Sequence, residues 1–175
     1  MNATIAPSRE QILRFCAEDP VERVYLEDVA RRGLGRFIAV ENADGRLTAL
    51  CHAGANFVPS GRGCAAFAEV AAHGGARMLI GEERAVGELW DAVRARLPEP
   101  RDDRPGQPVY VLSEAPGAGE TGLRPAGLSD LDILVPACAA AHREEIGIDP
   151  LSRDADGFCW RTRQQIEEGR SWLWL

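Results

Sequence analysis

Gly61 and Gly63 frame the stretch of this chain with the clearest chemical potential, Asn56-Phe57-Val58-Pro59-Ser60-Gly61-Arg62-Gly63-Cys64-Ala65-Ala66-Phe67. It reads as the end of a short apolar strand, a tight turn and the start of a helix. Glycine lets a backbone run close to whatever lies above such a turn. The first N–H groups of the helix that follows lack intrahelical partners and lie at the positive end of its dipole, an arrangement that suits an anion. Gly61, Arg62, Gly63 and Cys64 are therefore the candidate ligand-binding residues, with the Arg62 cation as an added attraction. The competing reading is a plain strand–helix turn with two convenient glycines, because short glycine motifs also match by accident.

Other chemistries find less support. His142 has no second His or Cys at ligand spacing, so no metal site is expected. No Ser/His/Asp arrangement with a supporting motif is present. The five cysteines (Cys16, Cys51, Cys64, Cys138 and Cys159) form no C-x-x-C pair. An odd number of unpaired thiols fits buried cysteines in a reducing cytoplasm. The first ten residues hold no apolar run of the signal-peptide type, and no stretch approaches the apolar length of a membrane span. A cytoplasmic location without membrane association is expected. The net charge of −7 argues against a nucleic-acid surface, which needs a basic face. All 20 basic residues are arginine, which reads as codon bias rather than as twenty ligand clamps.

With 175 residues, 45% of them hydrophobic, the chain is long enough to bury a real core. Ser8 and Gln11 form a capping-box pattern ahead of Ile12, Leu13, Phe15 and Cys16, which predicts a first helix ending near Asp19. Asp19-Pro20 predicts the start of a second helix, with Val21, Val24, Tyr25 and Val29 on one face and Gly33 as its stop. Residues 37–41 and 47–51 read as a hairpin around Asn42-Ala43-Asp44-Gly45. A third strand is expected over 56–58. After the glycine turn come a small-residue helix, a buried strand over 77–80 and a long helix over 82–97 that turns Val86, Leu89, Trp90, Val93 and Leu97 inward. Residues 109–112 close the set as a strand around Tyr110.

Pro116, Gly117 and Gly119 make residues 114–122 the most linker-like part of the chain. This divides it into a domain over 1–113, a linker over 114–122 and a second unit over 123–175. The second unit is expected to hold a strand over 123–126 and a helix capped by Ser129 and Asp132, with a kink or break at Pro136. A further helix capped by Asp156 runs to Gly169, and an apolar strand covers 171–175. A terminal strand of this kind, aromatic and without a partner, presents a sticky edge. It predicts a second domain cut off after its second strand, with self-association through that strand as a consequence; the competing reading is a genuine C-terminus whose last strand adds to the first sheet.

Together these elements give a mixed α/β (α+β) fold class, and their order over 8–112 resembles the acetyl-CoA-dependent N-acetyltransferase family, the GNAT fold, without its usual first strand. The strand–helix–helix–strand restart resembles the opening of the same fold. The whole is similar to a domain that precedes a GNAT catalytic domain in bacterial proteins, on the stretches Leu13-Arg14-Phe15-Cys16-Ala17-Glu18-Asp19-Pro20 and Arg161-Thr162-Arg163-Gln164-Gln165-Ile166-Glu167-Glu168-Gly169.

The resemblance implies a GNAT-like sheet flanked by helices, followed by a partial second unit. It places the family's acetyl-CoA signature, Q/R-x-x-G-x-G/A, on Val58-Pro59-Ser60-Gly61-Arg62-Gly63. Both glycines match, the Q/R position is Val58, and Pro59 offers no N–H to a cradle built from converging backbone donors. Weak or absent acetyl-CoA binding is implied. The family's N-x-x-A-x-x-L-Y pattern falls on Glu83-x-x-Val86-x-x-Leu89-Trp90, so an indole replaces the tyrosine that protonates the leaving thiolate. The acceptor side falls on 142–154, where Glu144 and Glu145 are the candidate residues for a cationic amine, small molecule or peptide. The function implied is the N-terminal part of an N-acetyltransferase, inactive alone. The alternative is a non-catalytic ligand-sensing or structural module that binds CoA or a related anion.

Overall fold

The protein is described by a computed structural model over residues 4–54, 56–114, 117 and 122–174. Ala55, most of the expected linker (115, 116 and 118–121) and Leu175 lie outside the described residues. The chain divides into two compact units, Met1–Ser113 and Glu114–Leu175.

The first unit is a mixed sheet with helices on both faces. Its strands are β1 (Thr4–Ile5), β2 (Phe37–Glu41), β3 (Leu47–Ala53), β4 (Asn56–Gly61) and β5 (Met78–Leu79), side by side in that order. Neighbours from β1 to β4 run antiparallel, and β5 lies parallel to β4. The short β1 carries no sequence signal, because two residues show no readable period. Its pairing, Thr4 with Val40 and Ile5 with Ala39, ties the N-terminal stretch to β2.

Side chains alternate across the sheet, as the strand period of two requires. Val40, Ala49, Cys51 and Phe57 join one core with Phe67, Ala71, Leu89 and Val93, from the helices α3 (Ala68–His73) and α4 (Glu83–Val93) and the short 3-10 turn before α3. Ala39, Leu50 and Val58 point the other way, onto Ile12, Phe15, Leu26 and Ala30 of α1 (Arg9–Ala17) and α2 (Val24–Arg31).

Local signals account for several of these boundaries. The capping box at α1 is reciprocal: the Gln11 N–H donates to Ser8 Oγ at 3.2 Å, and the Ser8 N–H donates to Gln11 Oε1 at 2.8 Å. In the hairpin, Asn42 Oδ1 accepts from the N–H groups of Asp44 (3.0 Å) and Arg46 (2.9 Å). Asp19-Pro20 does not begin α2; it forms a turn, and the helix starts at Val24. The helix then buries Leu26, Val29 and Ala30, which leaves Val21, Val24 and Tyr25 exposed. The turn lets Arg23 reach the sheet, as described below.

Two strand expectations also change. β4 runs on through Pro59 and Ser60 to Gly61, which lies opposite Ala49 of β3. Pro59 is tolerated because the pairing with β5 has ended by then, at the hydrogen bond from the Ile80 N–H to the Phe57 carbonyl (3.0 Å). Residues 109–112 are not in a strand; all four side chains are exposed, Tyr110 at 89%. Alternation makes a segment competent for a sheet, but it cannot supply a neighbour to pair with.

The second unit holds β6 (Leu123–Pro125), α5 (Leu131–Ile146), α6 (Pro150–Glu167) and β7 (Trp172–Trp174). β7 is not the unpaired strand expected from its sequence, since it pairs antiparallel with β6 along its length. Leu173 packs with Leu134 and Ile166, while Trp172 and Trp174 on its other face are exposed. Arg124 donates to both carboxylate oxygens of Asp130 at 2.8 Å, and the Gly127 N–H donates to the same carboxylate. That arginine holds the Asp130 carboxyl down at about 2. Pro136 neither breaks nor interrupts α5. α6 begins at Asp149-Pro150, earlier than expected, with Asp149 Oδ1 accepting from the Leu151 N–H at 3.0 Å. A kink at Asp154 divides it, and Asp154 rather than Asp156 caps the second part, through the Gly157 N–H at 2.9 Å.

Candidate functional site

The turn after β4 brings Gly61, Arg62, Gly63 and Cys64 together, but they face different surroundings. Gly61, at φ +92°, lies in the interior. A Cβ there would stand 2.3 Å from the Thr48 carbonyl oxygen and 2.9 Å from the Phe15 ring. Its missing side chain makes room for β3 and α1, not for a ligand. The Arg62 N–H then closes the turn onto the Thr48 carbonyl at 2.7 Å, and the Arg62 residue itself is exposed. Gly63, at φ +93°, opens onto space, and a Cβ there would meet nothing within 4 Å. Its glycine answers to the left-handed backbone, which disfavours a Cβ.

The N–H groups of Gly63 and Cys64 converge as the sequence predicts, and an anion meets them. That anion is the side chain of Glu88 from α4: its Oε2 accepts from Gly63 at 2.7 Å and from Cys64 at 2.9 Å. Arg84, one helical turn earlier, lies 3.4 Å from the other oxygen. The charge complementarity offered to a phosphate is therefore already satisfied within the chain. A CoA pyrophosphate would have to displace this carboxylate, from a turn where Pro59 lacks a donor and the helix α3 is only six residues long. The residues as arranged do not fit that group.

Cys64 is fully buried in the core, its thiol against the carbonyls of Ser60 and Gly61. Burial, reinforced by the nearby negative charges of Glu88 and Glu82, pushes that thiol up to about 12. It is a core residue and not a nucleophile. Trp90 is partly buried and packs on the same core, consistent with an aromatic at helical spacing.

Beneath the turn lies a polar network that sequence reasoning missed. Ser60, 2% exposed, donates from Oγ to Glu82 and accepts from Arg23 Nε at 3.1 Å. Arg23 also donates to the Phe15 carbonyl, and its guanidinium carbon stands 3.8 Å from the centre of the Phe15 ring. Glu18 and Glu82 lie within 4 Å of that guanidinium. The network joins α1, the start of α2, β4 and the start of α4, and every member has a partner. No local pattern in the sequence marks it, because its hydrogen-bonded side chains lie 37 and 22 residues apart.

In the second unit, Glu144 and Glu145 separate. Glu145 lines a shallow groove of about 400 Å³ between α5 and α6, with His142, Phe158, Arg161 and Gln165. Glu144 is exposed and is not part of that lining. Arg161 stands 5.6 Å from the centre of the Phe158 ring, and His142 meets the same ring edge-on at 6.3 Å. The groove thus presents both charges. Among the described residues no group of His, Cys, Asp and Glu side chains could hold a metal ion, and no helix is long and apolar enough to cross a membrane.

No curated protein and no solved structure is significantly similar to the chain. A family model described as a domain of unknown function, DUF4081, matches residues 35–134, from just before β2 to the first turn of α5. That match spans more than half of the 175 residues, and the protein belongs to this family.

Proposed function

We propose that the chain is the N-terminal, non-catalytic part of an acetyl-CoA-dependent N-acetyltransferase. In this reading the first unit is a degenerate GNAT-like scaffold and the second the opening of a further GNAT-like unit. The order β1-α1-α2-β2-β3-β4-α3-β5-α4 supports the first assignment, and β6-α5-α6-β7 the second. The observation that carries the non-catalytic reading is the Glu88 carboxylate seated on the N–H groups of Gly63 and Cys64. An internal carboxylate gives the turn its anion without a cofactor, and Trp90 has no hydroxyl to protonate a thiolate. In the second unit Glu145, on the groove between α5 and α6, is the residue proposed to face a cationic amine.

Calorimetric titration of acetyl-CoA into the wild-type chain and into Gly63→Val, at matched circular dichroism, tests the scaffold reading. No saturable heat is expected in either protein. Submicromolar binding to the wild type that the substitution abolishes would overturn it. The acetyltransferase assignment is tested separately. The reading frame beyond Leu175 is expected to encode a Q/R-x-x-G-x-G/A turn, and its full product to acetylate amines. A frame without that turn would favour the ligand-sensing or structural module.

A further inference from the structure

Pairing with β6 gives β7 a partner along one edge and sets four apolar side chains together on one face. Leu123 lies opposite Trp174, and Pro125 opposite Trp172. Directly opposed residues of an antiparallel pair share a face, so the pair between them, Arg124 and Leu173, points the other way. There Leu173 meets Leu134 and Ile166, and Arg124 meets Asp130. The four on the outer face are all exposed, Trp172 at 53% and Trp174 at 80%, and none carries a charge. The first unit holds the same arrangement in a covered form. β1 and β2 also bracket two helices and pair antiparallel. Ile5 and Ala39 pack toward α1 and α2, and Val40, in the next pair along, lies fully buried in the core on the other side. Trp174 stands at the place in the second unit that Val40 takes in the first.

We propose that a second copy of the chain covers this face, with two β6–β7 ribbons packed face to face about a twofold axis. A twofold contact matches one patch to itself, so a charged patch would set like charges against each other. These four side chains bring no such cost, and they offer no charge by which a different partner would be selected. Stacked ribbons lie about 10 Å apart, close enough for side chains from the two inner faces to interdigitate. The area is enough for a weak specific contact. A tryptophan presents up to about 250 Å², so at 53% and 80% exposure the two here offer about 300 Å² per copy. With Leu123, Pro125 and the flanking backbone, a pair of copies buries about 1,000 Å² in total, at the lower end of specific interfaces. The dimer therefore forms at high concentration and dissociates on dilution.

The test is sedimentation of the full chain, with NMR of the indole N–H signals at the same concentrations. A monomer–dimer equilibrium is expected, mostly monomer at roughly 1 µM and mostly dimer at roughly 500 µM. The Trp172 and Trp174 signals are expected to move with concentration, while that of Trp160, exposed on α6, stays in place. Trp174→Glu sets like charges across the axis and is expected to weaken association by at least about tenfold. Trp174→Thr removes the indole but keeps a strand-forming residue, and is expected to weaken association similarly with the β6–β7 pairing intact. Trp160→Glu is expected to leave association unchanged. A wild-type chain that stays monomeric over this range overturns the proposal, whether its indoles are exposed or are covered within the one chain. So does a dimer that both Trp174 substitutions leave intact, which would place the contact elsewhere, or growth beyond the dimer, which would make the contact open-ended rather than twofold.

Discussion

Replacing Glu88 with alanine is the sharpest probe of the turn. Its carboxylate accepts two backbone hydrogen bonds, from Gly63 at 2.7 Å and Cys64 at 2.9 Å. A hydrogen bond to a charged group contributes roughly 1.5–3 kcal/mol net, and a buried donor left without a partner costs a similar amount. The two are not equivalent here. Gly63 is exposed, so its N–H regains water when the carboxylate goes, whereas Cys64 is buried and its N–H is the more costly loss. Glu88 also forms an exposed i,i+4 pair with Arg84, worth only about 0.3–0.5 kcal/mol. The expected loss for Glu88→Ala is therefore about 2 kcal/mol, and about 1 kcal/mol for Glu88→Gln, which keeps an acceptor without the charge. Glu83→Ala, an exposed residue of the same helix, is the control and is expected to change stability by less than about 0.5 kcal/mol. Tryptophan fluorescence is a poor assay, because Trp160, Trp172 and Trp174 all belong to the second unit. Urea unfolding followed through amides of β2 and β3 reports the first unit directly. A change below about 0.5 kcal/mol for Glu88→Ala, with the Gly63 and Cys64 amide shifts unmoved, would refute the reasoning, since an internal anion that matters must be felt by both donors.

Gly61→Ala is expected to destabilise the first unit by about 3 kcal/mol or more, through its clash with the Thr48 carbonyl and Phe15. Gly63→Ala, open to space, should cost only about 1–2 kcal/mol for its left-handed backbone; equal losses in urea unfolding would contradict these environments. Burial raises the thiols of Cys16, Cys51 and Cys64 to about 11, 12 and 12, so mass spectrometry after alkylation at pH 8 should find exposed Cys159 modified first and those three only on unfolding. Early labelling of Cys64 would show that the turn opens. The Asp130 carboxyl is held down at about 2, chiefly by Arg124, so its stabilising pairing is present above the unfolded value of about 3.9 and is lost as pH falls through about 2. A carboxyl titration by NMR should place its midpoint near 2, moving toward the ordinary value in Arg124→Ala; an ordinary midpoint in the wild type would rule the clamp out.

Interactions between residues a few positions apart were legible in the sequence. Ser8 and Gln11 cap α1, Asn42 and Gly45 turn the hairpin, and Gly33 and Gly169 end their helices in left-handed conformation, as their types predict. The apolar runs of β2 and β3 also follow from residue type, because both faces of these strands must be apolar where helices cover both sides of the sheet. The convergence of the Gly63 and Cys64 N–H groups was legible for the same reason: it is a property of one turn of backbone. What fills that turn was not. Glu88 lies 25 residues beyond Gly63, and it reaches the turn only because α4 packs on the face of the sheet that holds Cys64. The Arg23–Ser60–Glu82 network spans separations of 37 and 22 residues and has no local pattern. Gly61 has the type and spacing of a ligand-facing glycine, yet the atoms a side chain would meet belong to Thr48 and Phe15, on elements whose approach the turn cannot encode. The buried face of α2 differs from the one its spacing predicts, because helical period defines an apolar stripe while the turn at Asp19-Pro20 decides where the helix begins. Short-range hydrogen bonding and side-chain period are set by the chain itself. Partners across the sheet depend on strand order and helix rotation, and those are decided only when the tertiary structure forms.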